Sequence, residues 1–145
     1  MDVPRDPSCV FCSIVAGEAQ AHRVLEDEAV VAFLDRRPLF AGHVLVVPRA
    51  HRATLLELTD DEIGPFFGRV QRIARAVVEA TEAKGSFVAM NNVVSQSVPH
   101  LHVHVVPRRP KDGLRGFFWP RMRYQSEEHA AAVAAGIRAM LDQRE

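Results

Sequence analysis

The chain is poor in the features that would send it into a membrane, out of the cell or onto nucleic acid. No apolar run approaches the roughly 20 residues of a membrane-spanning helix, and the N-terminus carries no apolar stretch of signal-peptide type. A cytoplasmic protein with no membrane partner is therefore expected. Eighteen Lys and Arg balance eighteen Asp and Glu, so the whole-chain field argues against a general nucleic-acid binder. Cysteine is scarce as well: Cys9 and Cys12 are the only two. Without a secretion signal a structural disulfide is not expected. Their C-x-x-C spacing leaves a redox pair or half of a metal site. There is no internal repeat, low-complexity tract or inter-domain linker, and 145 residues suit one domain.

What is present is enough apolar sequence for a core, 48% of the chain, arranged with clear periodicity. Residues 1–8, with Pro4 and Pro7, read as a flexible leader. Cys9 to Glu18 suits a short helical turn ended by Gly17. Arg23–Asp27 and Ala29–Asp35 are two β-type runs in hairpin spacing, followed by a loop with Pro38 and Gly42. His43–Pro48 is a continuous apolar run suited to a strand buried on both faces. Thr59 and Glu62 have the form of a capping box. From there Ile63, Phe66, Phe67, Val70, Ile73, Ala74 and Val77 recur at helical intervals to about Ala83, with Lys84-Gly85 as the expected stop. Ser86–Asn91 is a further strand, and Glu127–Gln143 a second helix after a basic segment with the aromatic cluster Phe117-Phe118-Trp119-Pro120. The order hairpin, strand, helix, strand, strand, helix is an α+β layout with an antiparallel meander.

The segment Val98–Pro107 holds His100, His102 and His104, three of the seven histidines. In a strand, alternate side chains share a face, so the imidazoles line one side while Leu101, Val103 and Val105 face a core. One reading is a solvated or pH-tuned polar face. The other is a row of neutral nitrogens, with unperturbed pKa of roughly 6.5, serving as nucleophile, acid/base or metal ligands. The cations Arg108, Arg109, Lys111, Arg115, Arg121 and Arg123 follow, either as an anion-attracting patch or as a solvated tail.

His100-Leu101-His102-Val103-His104-Val105-Val106 resembles the signature of the histidine triad (HIT) superfamily of nucleotide hydrolases and transferases. Phe33-Leu34-Asp35, Gly42–Pro48 and Gln96-Ser97-Val98 resemble family segments that precede the triad. The resemblance covers about Cys9 to Arg108, leaving 109–145 as a C-terminal extension of a single domain, 9–145. It implies a HIT-like fold, an antiparallel sheet packed on a long helix, with two subunits pairing into one larger sheet as a homodimer. It also implies a purine nucleotide substrate, attacked at its α-phosphate by His102 to give a nucleotidyl-histidine that water then hydrolyses. His104, Ser97 and Gln96 would serve the phosphate and leaving group, with Asn91 a further donor. Asp35 resembles the ribose-binding acid, and Val10, Phe11, Ile14 and Phe33 the base pocket, with Arg36 at its edge and Val98 nearby. So apolar a slot predicts purine tolerance. Ser95 stands where the family often has glycine, and the loop after Asn91 is shorter by about two residues than the common pattern, which also makes Asn92 a candidate.

Some branches of the superfamily hold a structural zinc, and here Cys9, Cys12, His51 and His100 form the corresponding Cys₂His₂ set, closed to water. The catalytic step itself would need no cofactor. Against the enzyme stand two alternatives: a metalloenzyme whose triad ligates the metal, and a non-catalytic nucleotide-binding module.

Overall fold

A computed structural model of the chain describes residues 3–115 and 120–143. The Phe117-Phe118-Trp119 part of the aromatic cluster lies outside the described residues. The chain divides into two compact units, Met1–Asp112 and Gly113–Glu145.

In the first unit, helix α1 (Val10–Val15) precedes strands β1 (Arg23–Glu26), β2 (Val30–Leu34) and β3 (Val44–Pro48). Helix α2 (Asp60–Thr81) follows, and then β4 (Gly85–Ala89) and β5 (Val103–Arg108). All five strands form one antiparallel sheet in the order β1-β2-β3-β5-β4. The first three strands form a meander. Helix α2 then carries the chain to the far edge, and β5 returns between β3 and β4. The apolar run of β3 is buried along its whole length because it has strands on both sides and layers on both faces.

Strand alternation divides the interior into two clusters. Val44 and Val46 of β3, Val103 and Val105 of β5, and Leu101 face α2, where Phe66, Val70, Ile73 and Val77 meet them. That four-three-four spacing is the helical stripe visible in the sequence. At roughly 1.5–3 kcal/mol for each large side chain removed from water, this seam is a leading source of stability. Leu45 and Val47 point the other way, with Val31, Phe33 and the α1 residues Phe11 and Ile14.

Helix α2 begins where expected: Thr59 is its N-cap, and the Glu62 carboxylate accepts the Thr59 N–H at 2.9 Å. The Thr59 hydroxyl donates to Asp61 at 2.8 Å. The expected stop at Lys84-Gly85 needs correction. The helix ends at Thr81, the left-handed residue is Glu82 (φ 56), and Gly85 already belongs to β4. The leader is tied to the body at several points: the His51 N–H donates to the Pro4 carbonyl at 2.8 Å, the Asp6 N–H approaches Cys12 Sγ at 3.4 Å, and Arg5 pairs with Glu18. Two members of the basic segment are already engaged: Arg108 forks onto Asp112 at 2.6 and 3.1 Å, and Arg109 donates to the Thr81 carbonyl.

The second unit contains α3 (Glu127–Asp142), whose N-cap Ser126 accepts the His129 N–H at 3.0 Å. Among the described residues, no helix is long and apolar enough to cross a membrane.

Candidate active site

The histidine segment is less regular than a strand from Val98 to Pro107. Ladder pairing begins only at Val103. Ahead of it the His100 N–H donates to the Val98 carbonyl at 2.8 Å, and the Leu101 N–H to Arg52 at 2.7 Å. The backbone is held by the loop after β3 rather than by β3 itself. The alternation survives this detour. Leu101, Val103 and Val105 belong to the α2 cluster, while the rings of His100 and His102 meet Phe11 on the opposite face. His104 pairs in register with Leu45, which faces the same way.

At the inner end lie Cys9, Cys12, His51 and His100. His100 is 0% exposed, Cys9 5% and Cys12 3%. The Nε2–H of His100 donates to the Pro48 carbonyl at 2.9 Å, which leaves Nδ1 as the free lone pair. That Nδ1 is 3.4 Å from Cys9 Sγ, 3.6 Å from Cys12 Sγ and 3.2 Å from Nδ1 of His51, and His51 Nδ1 is 3.3 Å from Cys12 Sγ. A tetrahedral zinc with its usual bond lengths has N···N edges of about 3.4 Å and N···S edges of about 3.6 Å. The donor set fits zinc in number, chemistry and spacing. Burial pushes the Cys12 thiol up and the His100 ring down to about 4.

At the outer end the same face opens into a groove of about 1160 Å³. Helix α1 lines it with Val10, Phe11 and Ile14, and the end of β2 with Phe33, Asp35 and Arg36. Ser97, His102 and His104 complete it. The Nδ1–H of His102 donates to the His100 carbonyl at 2.8 Å, so the tautomer is fixed and Nε2 keeps its lone pair.

The neighbouring ring is held by a chain of donors. The Leu39 N–H donates to His43 Nδ1 at 3.0 Å, which obliges a neutral His43 to carry its proton on Nε2. That proton points to Nδ1 of His104, 3.0 Å away, so a neutral His104 carries its own on Nε2. Burial, with His102 and His43 adjacent, lowers the pKa of His104 to about 4. Burial also lowers that of His43, against the pull of Asp35, whose Oδ2 lies 3.5 Å away. Asp35, His43 and His104 are close enough to suggest a second metal site. The Leu39 contact argues otherwise, because a ring that accepts at Nδ1 could ligate through Nε2 only as an imidazolate. This triad end is built for proton placement.

Of the other expected residues, Val98 packs against the apolar cluster beneath the groove. Gln96 is absent from the groove lining: its Nε2 donates to the Ala53 carbonyl at 2.6 Å, and its Oε1 accepts the Val93 N–H at 3.0 Å. Asn91 donates to the Ser95 carbonyl at 3.2 Å, and Asn92 accepts the Leu55 N–H at 2.7 Å. These three side chains shape the loop. Ser95 has φ 61, the left-handed region that favours glycine. His43 received no role in the sequence reading. The signal was available, because His43 shares its strand face with Leu45 and Val47.

A family model described as HIT domain matches residues 16–111. The chain belongs to the HIT family. "Protein hit" of Bacillus subtilis is 40% identical over 114 residues, 77% of this chain and 79% of that protein. Adenosine 5'-monophosphoramidase HNT1 of Candida albicans is 30% identical over 119 residues, 78% of each chain. A Zn-bound histidine triad family protein from Mycobacterium smegmatis is 40% identical, with a TM-score of 0.70 over 95% of this chain and 98% of that one.

Proposed function

We propose that the protein is a nucleotide hydrolase or transferase acting at the α-phosphate of adenylylated compounds, nucleoside phosphoramidates or dinucleoside polyphosphates, through a covalent nucleotidyl-histidine on His102. The observation that carries this reading is the His102 Nδ1–H bond to the His100 carbonyl, which leaves Nε2 unprotonated on a residue lining the groove. In the first step Nε2 bonds to phosphorus, and the bond to the leaving group breaks with its electron pair. The leaving group takes a proton from the Ser97 hydroxyl or from His104 Nε2–H. The Nδ1–H bond holds the charged nucleotidyl-imidazolium. In the second step water replaces the imidazole at phosphorus, its proton passes to the Ser97 oxygen or His104 Nε2 that gave one up in the first step, and His102 recovers its lone pair.

Asp35 accepts the ribose hydroxyls, and Val10, Phe11, Ile14 and Phe33 form the base pocket, with Arg36 at its edge. Gln96 and Asn91 act by holding the Asn91–Ser97 loop. Cys9, Cys12, His51 and His100 bind a structural zinc, which ties α1 to the triad and leaves no open coordination position. In this reading residues 1–8 are a leader and 9–145 form one HIT domain, with 109–145 as its C-terminal extension. A homodimer forms through α2 and the edge strand β4, where Ile63 and Val88 are exposed. The cytoplasm supplies the reducing conditions such a zinc–thiolate site needs. The test is a turnover panel of AMP-amine phosphoramidates and dinucleoside tri- and tetraphosphates. Release of AMP from at least one of these classes is expected, and no release from any of them contradicts the proposal.

A further inference from the structure

The groove carries more polar groups than the phosphoryl chemistry uses. On the reading above, Asp35 takes the ribose, and Ser97, His102 and His104 take the phosphate. Arg23 is spent internally, because its guanidinium donates to the Ile14 carbonyl and lies 3.5 Å from Glu26. Arg36 is different. It lines the groove, it is exposed, and among the described residues it makes no hydrogen bond or ion pair. It directly follows Asp35 and lines the same groove as Phe11 and Phe33, whose rings meet edge-on at 5.6 Å and form one apolar wall. That wall offers a purine apolar contact and no hydrogen-bonding group for its edge. Gln20 and His22 also line the groove, but among its described lining residues Arg36 carries the one guanidinium without a hydrogen bond or ion pair, and a guanidinium can address that edge with two donors at once.

Guanidinium has donors only. Guanine presents two acceptors side by side, O6 and N7, which a guanidinium meets bidentately. Adenine presents N7 beside the N6 amino group, a donor, so one arm of the fork faces another donor. We infer that Arg36 is a base-discriminating residue and that the groove favours guanine nucleotides over adenine nucleotides. This inference rests on the nucleotide reading of the groove. It replaces the base tolerance that an apolar slot alone would give. Because Arg36 is solvent-exposed, the discrimination belongs at the low end of the range for bidentate base contacts, about fivefold.

The experiment pairs turnover with equilibrium binding. The wild-type protein is assayed with guanosine and adenosine 5'-phosphoramidates. GMP and AMP affinities are measured by calorimetry on the His102→Asn variant, which keeps the groove. The expected result is a guanosine-to-adenosine ratio of about five in kcat/KM, carried by KM, and a similar ratio of affinities. Arg36→Ala brings both ratios to about one. Arg36→Gln, whose carboxamide matches adenine N6 and N7, turns them in favour of adenosine. A wild-type ratio of one or less overturns the inference, as does a guanosine preference that survives Arg36→Ala. Failure of both nucleotides to bind sinks the nucleotide reading itself and is distinguishable from either result.

Discussion

His100 and His102 are two residues apart, share a hydrogen bond, and sit in opposite surroundings. Around His100 every partner is fixed: Nε2–H meets a carbonyl, Nδ1 meets two thiols and a second imidazole, and the ring is 0% exposed. Around His102 one nitrogen is fixed and the other is left to a large groove. One imidazole has been closed off to hold structure, and its neighbour is held by that structure so that it can react. The same residue type serves both ends because imidazole can be pinned at one nitrogen and used at the other.

Breaking the closed end should cost the most stability. Cys9→Ser with Cys12→Ser removes two of four ligands, and about one zinc per chain is expected to be lost, as read by elemental analysis. The melting temperature should fall by roughly 10 °C, as for about 3 kcal/mol in a domain of this size. Wild-type protein prepared without chelator and free of zinc would contradict this. At the open end the expected effect falls on rate. His43→Ala leaves Nδ1 of His104 without its donor, and kcat should fall about 10-fold or more, by analogy with the loss when a partner orienting a metal-bound imidazole is removed. KM should change little. Equal losses in kcat and nucleotide affinity would mean that His43 shapes the pocket instead.

Acid sharpens the comparison further. Burial lowers the pKa of His104 to about 4, below its ordinary value of roughly 6.5 in an unfolded chain. Between those values the unfolded chain binds the proton and the folded one does not. The stability contribution is therefore complete above about 6.5 and declines as pH falls toward 4. Melting temperature should drop over that interval, and His104→Asn should flatten the drop. An unchanged slope would place the acid sensitivity elsewhere. The smallest expected effect is at Ser95, whose φ of 61 suits glycine. Ser95→Gly should stabilise by about 0.5 kcal/mol or less, read from the urea midpoint.

Much of this arrangement was legible in the residues. The spacing of Phe66, Val70, Ile73 and Val77 places α2, and the apolar run of β3 places the sheet's centre, because burial patterns follow the period of each element. The Cys₂His₂ set came from the resemblance, which points to four residues scattered over 92 positions that periodicity could not bring together. Other features depend on tertiary hydrogen bonds. Gln96 has the amide to serve a phosphate, yet both ends of that amide are taken by the Val93 N–H and the Ala53 carbonyl. Strand pairing at Val103 rather than Val98 reflects the Leu101 N–H going to Arg52, a partner in another loop that no local pattern announces. The Glu82 stop shows the same limit, since a left-handed residue other than glycine is chosen by context.

The most direct measurement is acid-quenched mass spectrometry of the protein during turnover of a nucleoside phosphoramidate. The account predicts one nucleotidyl group per chain, located by peptide fragmentation on His102 and absent in His102→Asn, whose kcat falls by about 10⁴-fold or more. A nucleotidyl group on another residue, or hydrolysis undiminished in His102→Asn, would contradict it.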